Sequence, residues 1–186
     1  MYQYKDGVIT TDRLILRPFT LDDADNVARM CGSGVLQRTT LALPYPYTTE
    51  HAVTWIEKHD EWRKNRISDD FAITDKETGT LYGAISLMFH VKNSPTAEMG
   101  YWVGEEYWNR GFASEAARGL IEYAFSVLML HRVFAEHFGS NVASGRVMQK
   151  AGMKHEGTLR DHFFKNGRYE DGVMYGIVSM DYDTYG

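Results

Sequence analysis

The chain is short of the features that mark several large protein classes. It has one cysteine, Cys31, so no disulfide can form within it. A lone cysteine of this kind reads as a small buried hydrophobe without a chemical role. No uncharged apolar run approaches the ~20 residues of a membrane span. The opening residues, Met1-Tyr-Gln-Tyr-Lys-Asp6, hold no apolar core of a secretory signal. A cytoplasmic protein is therefore expected. An excess of cations is also missing: Lys and Arg total 20 against 25 Asp and Glu, a net charge of -5. Clustered cations drive non-specific binding to nucleic acid and to anionic membranes, so neither is expected as a partner. With only four prolines, no Pro/Gly/Ser linker and no repeat period, the 186 residues read as one domain, 1–186. None of the seven histidines pairs at zinc spacing, so no metal is expected.

The patterning that is present alternates between two periods. Leu14-Ile-Leu-Arg17 reads as a strand stopped by Pro18, and Thr20-Leu-Asp-Asp23 as a capping-box helix start. Residues 36–47 read as a loop, and a helix is predicted from Thr48 to about Arg66. Strands follow at Asp70–Thr74, Leu81–Val91 and Glu98–Val103. Apolar residues then recur at three and four from Ser114 to Leu130, predicting an amphipathic helix. A strand at Arg132–His137, a helix at Ser144–Ala151 closed by Gly152, and a hairpin around Asn166-Gly167 complete the chain. The hairpin strands are placed at about Lys154–Phe164 and Tyr169–Tyr182. Strands and helices mix without strict alternation, which predicts a mixed sheet with helices on both faces.

One stretch carries chemistry. In Trp108-Asn-Arg-Gly-Phe-Ala-Ser114 a strand leads through a short loop into a helix. Gly111 and Ala113 let the backbone approach a ligand closely, and the helix start offers free N–H groups and a positive dipole end. Such a loop suits a diphosphate, and it is not a Walker loop, since Gly-Lys-Ser/Thr is missing. About thirty residues further on come Asn141-Val-Ala-Ser144 and Ala151-Gly-Met-Lys-His-Glu-Gly157.

Together with Thr11-Asp-Arg-Leu14, Leu16-Arg-Pro18 and Asn166-Gly-Arg-Tyr169, these motifs resemble the GNAT superfamily of N-acetyltransferases, in particular its RimJ/RimL-type branch. The resemblance covers nearly the whole chain. It implies an α/β fold with a twisted mixed sheet of about seven strands, in which two parallel strands, Glu98–Val103 and Arg132–His137, splay into a V. It also implies acetyl-CoA as cosubstrate. The pantetheine arm would pair with the backbone at Trp102 and Val103, and the diphosphate would rest on Arg110, Gly111, Phe112, Ala113 and Ser114. Asn141 would reach the arm from the other side, with Arg146 and Lys150 near the 3'-phosphate. The acceptor would be a primary amine, by analogy a protein N-terminus. Polyamines, aminoglycosides, other small amines and a non-catalytic acyl-CoA-binding role are the alternatives. A homodimer through sheet edges is the assembly the family suggests.

An amine of pKa ~8 to ~10 is mostly charged at neutral pH, so the reaction needs a base. Glu98 is the carboxylate the resemblance selects, with Glu136 and Glu115 as weaker candidates. Many family members protonate the leaving thiolate with a tyrosine where this chain has Met148, which carries no proton to give. Ser144 takes that role by resemblance; a helix-capping hydroxyl is its alternative. A backbone N–H near Val103 would meet the oxyanion.

Overall fold

The computed structural model describes residues 2–5, 7–41, 43–91 and 93–182. Ala42, inside the loop read from the sequence, lies outside them. Nine strands form one sheet: β1 Gln3–Lys5, β2 Val8–Thr10, β3 Leu14–Arg17, β4 Ser68–Asp75, β5 Leu81–Met88, β6 Thr96–Val103, β7 Arg132–Phe138, β8 Lys154–Lys165 and β9 Arg168–Val178. Their spatial order is β1-β2-β3-β4-β5-β6-β7-β9-β8. Every neighbouring pair is antiparallel except β6 and β7.

The helices are α1 Ala24–Gly32, α2 Thr49–Glu57, α3 His59–Lys64, α4 Phe112–Ser126, α5 Val142–Lys150 and the short α6 Ser179–Tyr182. They divide between the two faces because the strand side chains alternate. On β6, Ala97, Met99 and Val103 join α4 residues Ala116, Leu120 and Ala124 in one core. Trp102, one residue out of phase, packs with Val27, Ala52 and Ile56 of α1 and α2 in a second core. The mixed sheet with helices on both faces is as expected.

Several expectations need correction. Among the described residues the strand count is nine, not about seven. The additional pair β1 and β2 is three residues each, too short to show a period in the sequence. The capping box at Thr20 and Asp23 is present, but it opens a single 3₁₀ turn before α1 begins at Ala24. The helix predicted across 48–66 breaks at Lys58 into α2 and α3. α4 starts at Phe112 and ends at Ser126, earlier at both ends than its apolar spacing implied. The last strand stops at Val178, where α6 takes over.

Candidate active site

The parallel pairing of β6 and β7 lasts three residues, Thr96 with Arg132, Ala97 with Val133 and Glu98 with Phe134. β7 stays paired with β9 along its whole length, and β6 with β5 from Glu98 to Val103. Beyond Glu98 the two strands therefore part, leaving a gap inside the sheet with backbone polar groups on its rims.

β6 ends at Val103, whose carbonyl accepts a 2.7 Å hydrogen bond from Trp108 Nε1. That bond folds the short turn Glu105–Tyr107 back under the strand and aims the chain at α4. Asn109 (φ 60°) and Gly111 (φ 81°) both adopt the left-handed conformation. At Gly111 this is what turns the loop into the helix, and glycine adopts it at no steric cost. The first bond of α4 runs from Glu115 N–H to Gly111 O at 3.0 Å. The N–H groups of Phe112, Ala113 and Ser114 therefore precede the helical ladder, at its positive end. Arg110 and Gly111 are exposed, and a Cβ placed on Gly111 would meet only Arg13 Nη2 at 3.5 Å. Open donors, a positive helix end and an exposed guanidinium make a cradle that fits the diphosphate of acetyl-CoA.

On the face of the sheet that carries α1 and α2, Glu98 stands where the strands part. Its side chain is 18% exposed and its Oε2 lies 2.5 Å from His90 Nε2. Glu136, two residues past the partner of Glu98, shares that face from the other strand. It has His162 Nε2 at 3.7 Å. Burial, and then the charge of Glu98, push the Glu136 carboxyl above its ordinary range. Sequence reading missed His90; its only signal was a histidine eight residues before Glu98 across an antiparallel turn.

On the opposite face, Tyr101 of β6 reaches α5. Its hydroxyl donates to Ser144 O at 2.9 Å and lies 2.7 Å from Ser144 Oγ. Burial pushes the Tyr101 phenol well above its usual range, so it keeps its proton. Tyr101 went unnoticed in the sequence because strand tyrosines ordinarily read as core. The capping alternative for Ser144 is overturned. α5 starts at Val142, and its N-cap is Asn141, whose Oδ1 accepts from Ser144 N–H at 3.3 Å. Met148 is 1% exposed, one turn further along.

Glu115 is not available as a base. It is 4% exposed and bound by Thr11 and Arg13. Burial raises its carboxyl, but those bonds outweigh burial and hold it below the ordinary range. Trp102 packs against the α1–α2 core, while Arg146 and Lys150 are exposed on α5. Cys31 is buried, and burial pushes its thiol up to about 12. Among the described residues, no cluster of His, Cys, Asp or Glu could hold a metal ion.

Residues 13–154 match the family model described as an acetyltransferase (GNAT) domain. The chain is 32% identical over 171 residues to the uncharacterized N-acetyltransferase YoaA of Bacillus subtilis, covering 92% of this chain and 96% of that protein. It is 24% identical over 124 residues to the ribosomal protein uS5-alanine N-acetyltransferase of Escherichia coli, 66% of this chain and 64% of that one. Among solved structures, a GNAT-family acetyltransferase from Bacillus anthracis superposes with a TM-score of 0.83 at 25% identity, covering 93% and 99%. The match spans the loop into α4, the parted strands and the carboxylates at their fork, and the chain belongs to the GNAT acetyltransferases, enzymes that carry an acetyl group from acetyl-CoA to an amine.

Proposed function

We propose that the acceptor is the α-amine of a protein N-terminus, that Glu98 is its base, and that Ser144 protonates the departing thiolate. The observation that carries this reading is the placement of the two groups on opposite faces of the parted strands. Glu98 lies on the α1–α2 face and the Tyr101–Ser144 pair on the α4–α5 face.

Each has its task in a direct transfer. Glu98 takes a proton from the ammonium, and the freed lone pair attacks the thioester carbonyl carbon. An N–H near Val103 meets the oxyanion as it forms. The C–S bond then breaks, its electron pair goes to sulfur, and the Ser144 hydroxyl gives a proton there, while the second proton of the attacking nitrogen, acidic once the C–N bond has formed, passes through water back to Ser144 Oγ. Tyr101, held protonated by burial, donates to the Ser144 carbonyl and holds the start of α5 against β6. His90, 58% exposed and bonded to Glu98, offers the base a route for its proton to solvent. The diphosphate rests on Arg110 to Ser114. Asn141 stands at the head of α5 beside the gap, where it orients the arm.

The α-amine is favoured over stronger bases by its pKa of ~8, which leaves a usable neutral fraction for a carboxylate base at pH 7. The E. coli relative is named for acetylating an alanine of ribosomal protein uS5, whose amine is of this kind. A small polycation is the second reading, supported by Glu98 and Glu136 together on one face. The test is a panel of N-terminal peptides, polyamines and aminoglycosides assayed for release of free CoA thiol. The proposal requires a peptide to give the highest kcat/KM; preference for a polyamine would replace it with the second reading.

A further inference from the structure

The opening motif Thr11-Asp-Arg-Leu14 sits far along the chain from the reaction, yet its side chains end at the phosphate cradle. The Thr11 hydroxyl donates to Glu115 Oε1 at 2.6 Å, and the Arg13 N–H donates to the same oxygen at 2.8 Å. Arg13 Nε donates to Glu115 Oε2 at 2.7 Å. With its Nε fixed, the guanidinium lies over the Phe112 ring, 4.9 Å from its centroid, and Nη1 donates to Arg110 O at 3.2 Å. Nη2 lies against Gly111 on the side where a Cβ would stand. α4 is seated on the same corner, since a Cβ on Gly119 would come within 2.9 Å of Thr11 Cγ2.

We infer that Arg13 is a positioning residue for the acetyl-CoA diphosphate, acting through Glu115 and Arg110. This rests on reading residues 110–114 as the diphosphate cradle. Two physical effects follow from the geometry. Holding the Arg110 carbonyl back turns an acceptor away from the incoming anion and leaves the following N–H groups facing it. Pairing Glu115 neutralises a buried carboxylate one helical turn behind Gly111. Unpaired, that charge would oppose a diphosphate at the same helix end. A stretch that reads as an ordinary strand start thereby tunes an anion site built from residues almost a hundred positions later.

The test compares two donors on the intact protein: acetyl-CoA, and acetyl-pantetheine, which carries the thioester but no diphosphate. Arg13→Gln should weaken acetyl-CoA about tenfold or more by calorimetry, the scale of one charge-assisted interaction lost. Its kcat/KM with acetyl-pantetheine should stay within about twofold of wild type. Arg13→Gln combined with Glu115→Gln removes the stranded charge and should recover most of the lost acetyl-CoA affinity. Equal losses with both donors, or no recovery in the double variant, would mean that Arg13 merely supports the fold and would overturn the inference. Unchanged acetyl-CoA affinity in Arg13→Gln would overturn it too. A wild-type protein that binds no acetyl-CoA would bring down the cradle reading itself, a result distinguishable from all of these.

Discussion

The donor side and the acceptor side of the cleft are built by opposite means. Most of the rim proposed for the donor is contiguous: Glu98 to Ser114 supply the fork, the Trp108 brace and the loop into α4, with Asn141, Ser144 and the Arg13–Glu115 pair joining from elsewhere in the chain. The rim opposite, where the proposed acceptor would enter, is assembled from segments far apart in the chain. Lys165 Nζ in the β8–β9 hairpin donates to Thr40 O in the loop after α1, and Phe138 of β7 packs edge-on against Phe163 at 4.9 Å. The His162–Glu136 pair joins the same hairpin to β7. A contiguous site is fixed by local backbone geometry, whereas an assembled one depends on long-range packing.

Gly111 tests that contrast hardest. Acetyl-CoA at a hundred times its Kd should stabilise the wild type by ~2.7 kcal/mol, a melting shift of about 5–10 °C for a chain this size. Gly111→Val should abolish the shift. Its φ of 81° is costly for a β-branched residue, and the side chain would crowd the cradle. A Val variant that keeps the full shift would show that the cradle is not local.

The next largest effect belongs to Glu98. Glu98→Gln should lower kcat roughly a hundredfold, leave KM for acetyl-CoA little changed and remove the acidic limb of the pH–rate profile. Normal turnover with an unaltered limb would shift the role to Glu136 across the fork.

On the other face, Ser144→Ala should lower kcat roughly tenfold with acetyl-CoA affinity unchanged. Because Asn141 is the cap, the substitution removes no N-cap and the melting temperature should hold. A lowered melting temperature with normal kcat would make Ser144 structural and leave solvent as the proton source.

The smallest effect lies away from the cleft. His59 sits between Phe19, Trp55 and Trp62 at 5.4, 4.4 and 5.8 Å, with neither ring nitrogen hydrogen-bonded. Burial, then the charge of Arg63, push its imidazole down to about 4. The unfolded chain, with an ordinary pKa of ~6.5, binds more protons in the window between these values. Stability is thus full above about pH 6.5 and is lost as pH falls towards 4. Urea titrations at pH 7 and pH 5 should differ by an extra ~1–2 kcal/mol in wild type relative to His59→Phe. Identical pH slopes would show that His59 titrates normally.

The same division explains how much was legible in the sequence. The turn from loop into α4 could be read because Trp108, Gly111 and Ala113 stand in a fixed frame before a periodic helix. His90 and Tyr101 could not, since strand pairing and the α5 approach decide their partners, and neither leaves a trace at short range. Glu115 looked like a free carboxylate at a helix start until Thr11 and Arg13, a hundred residues away, claimed both its oxygens. The break at Lys58 escaped notice because the sequence from Thr48 to Arg66 contains no glycine or proline. Short β1 and β2 form by pairing with β3 and each other rather than by any period of their own.

The three-residue contact between β6 and β7 has a last consequence. Past Glu98 the sheet runs on as two half-sheets that share a root, and the peptide groups facing the gap have no partner strand across it, the Val103 carbonyl being held instead by Trp108. A thioester arm lying in the gap would act as a missing rung, so occupancy should be written in the backbone itself. Amides on the gap rim of Gly100–Val103 should exchange hydrogen quickly in the free enzyme and slow sharply once the donor is seated, before any amine arrives.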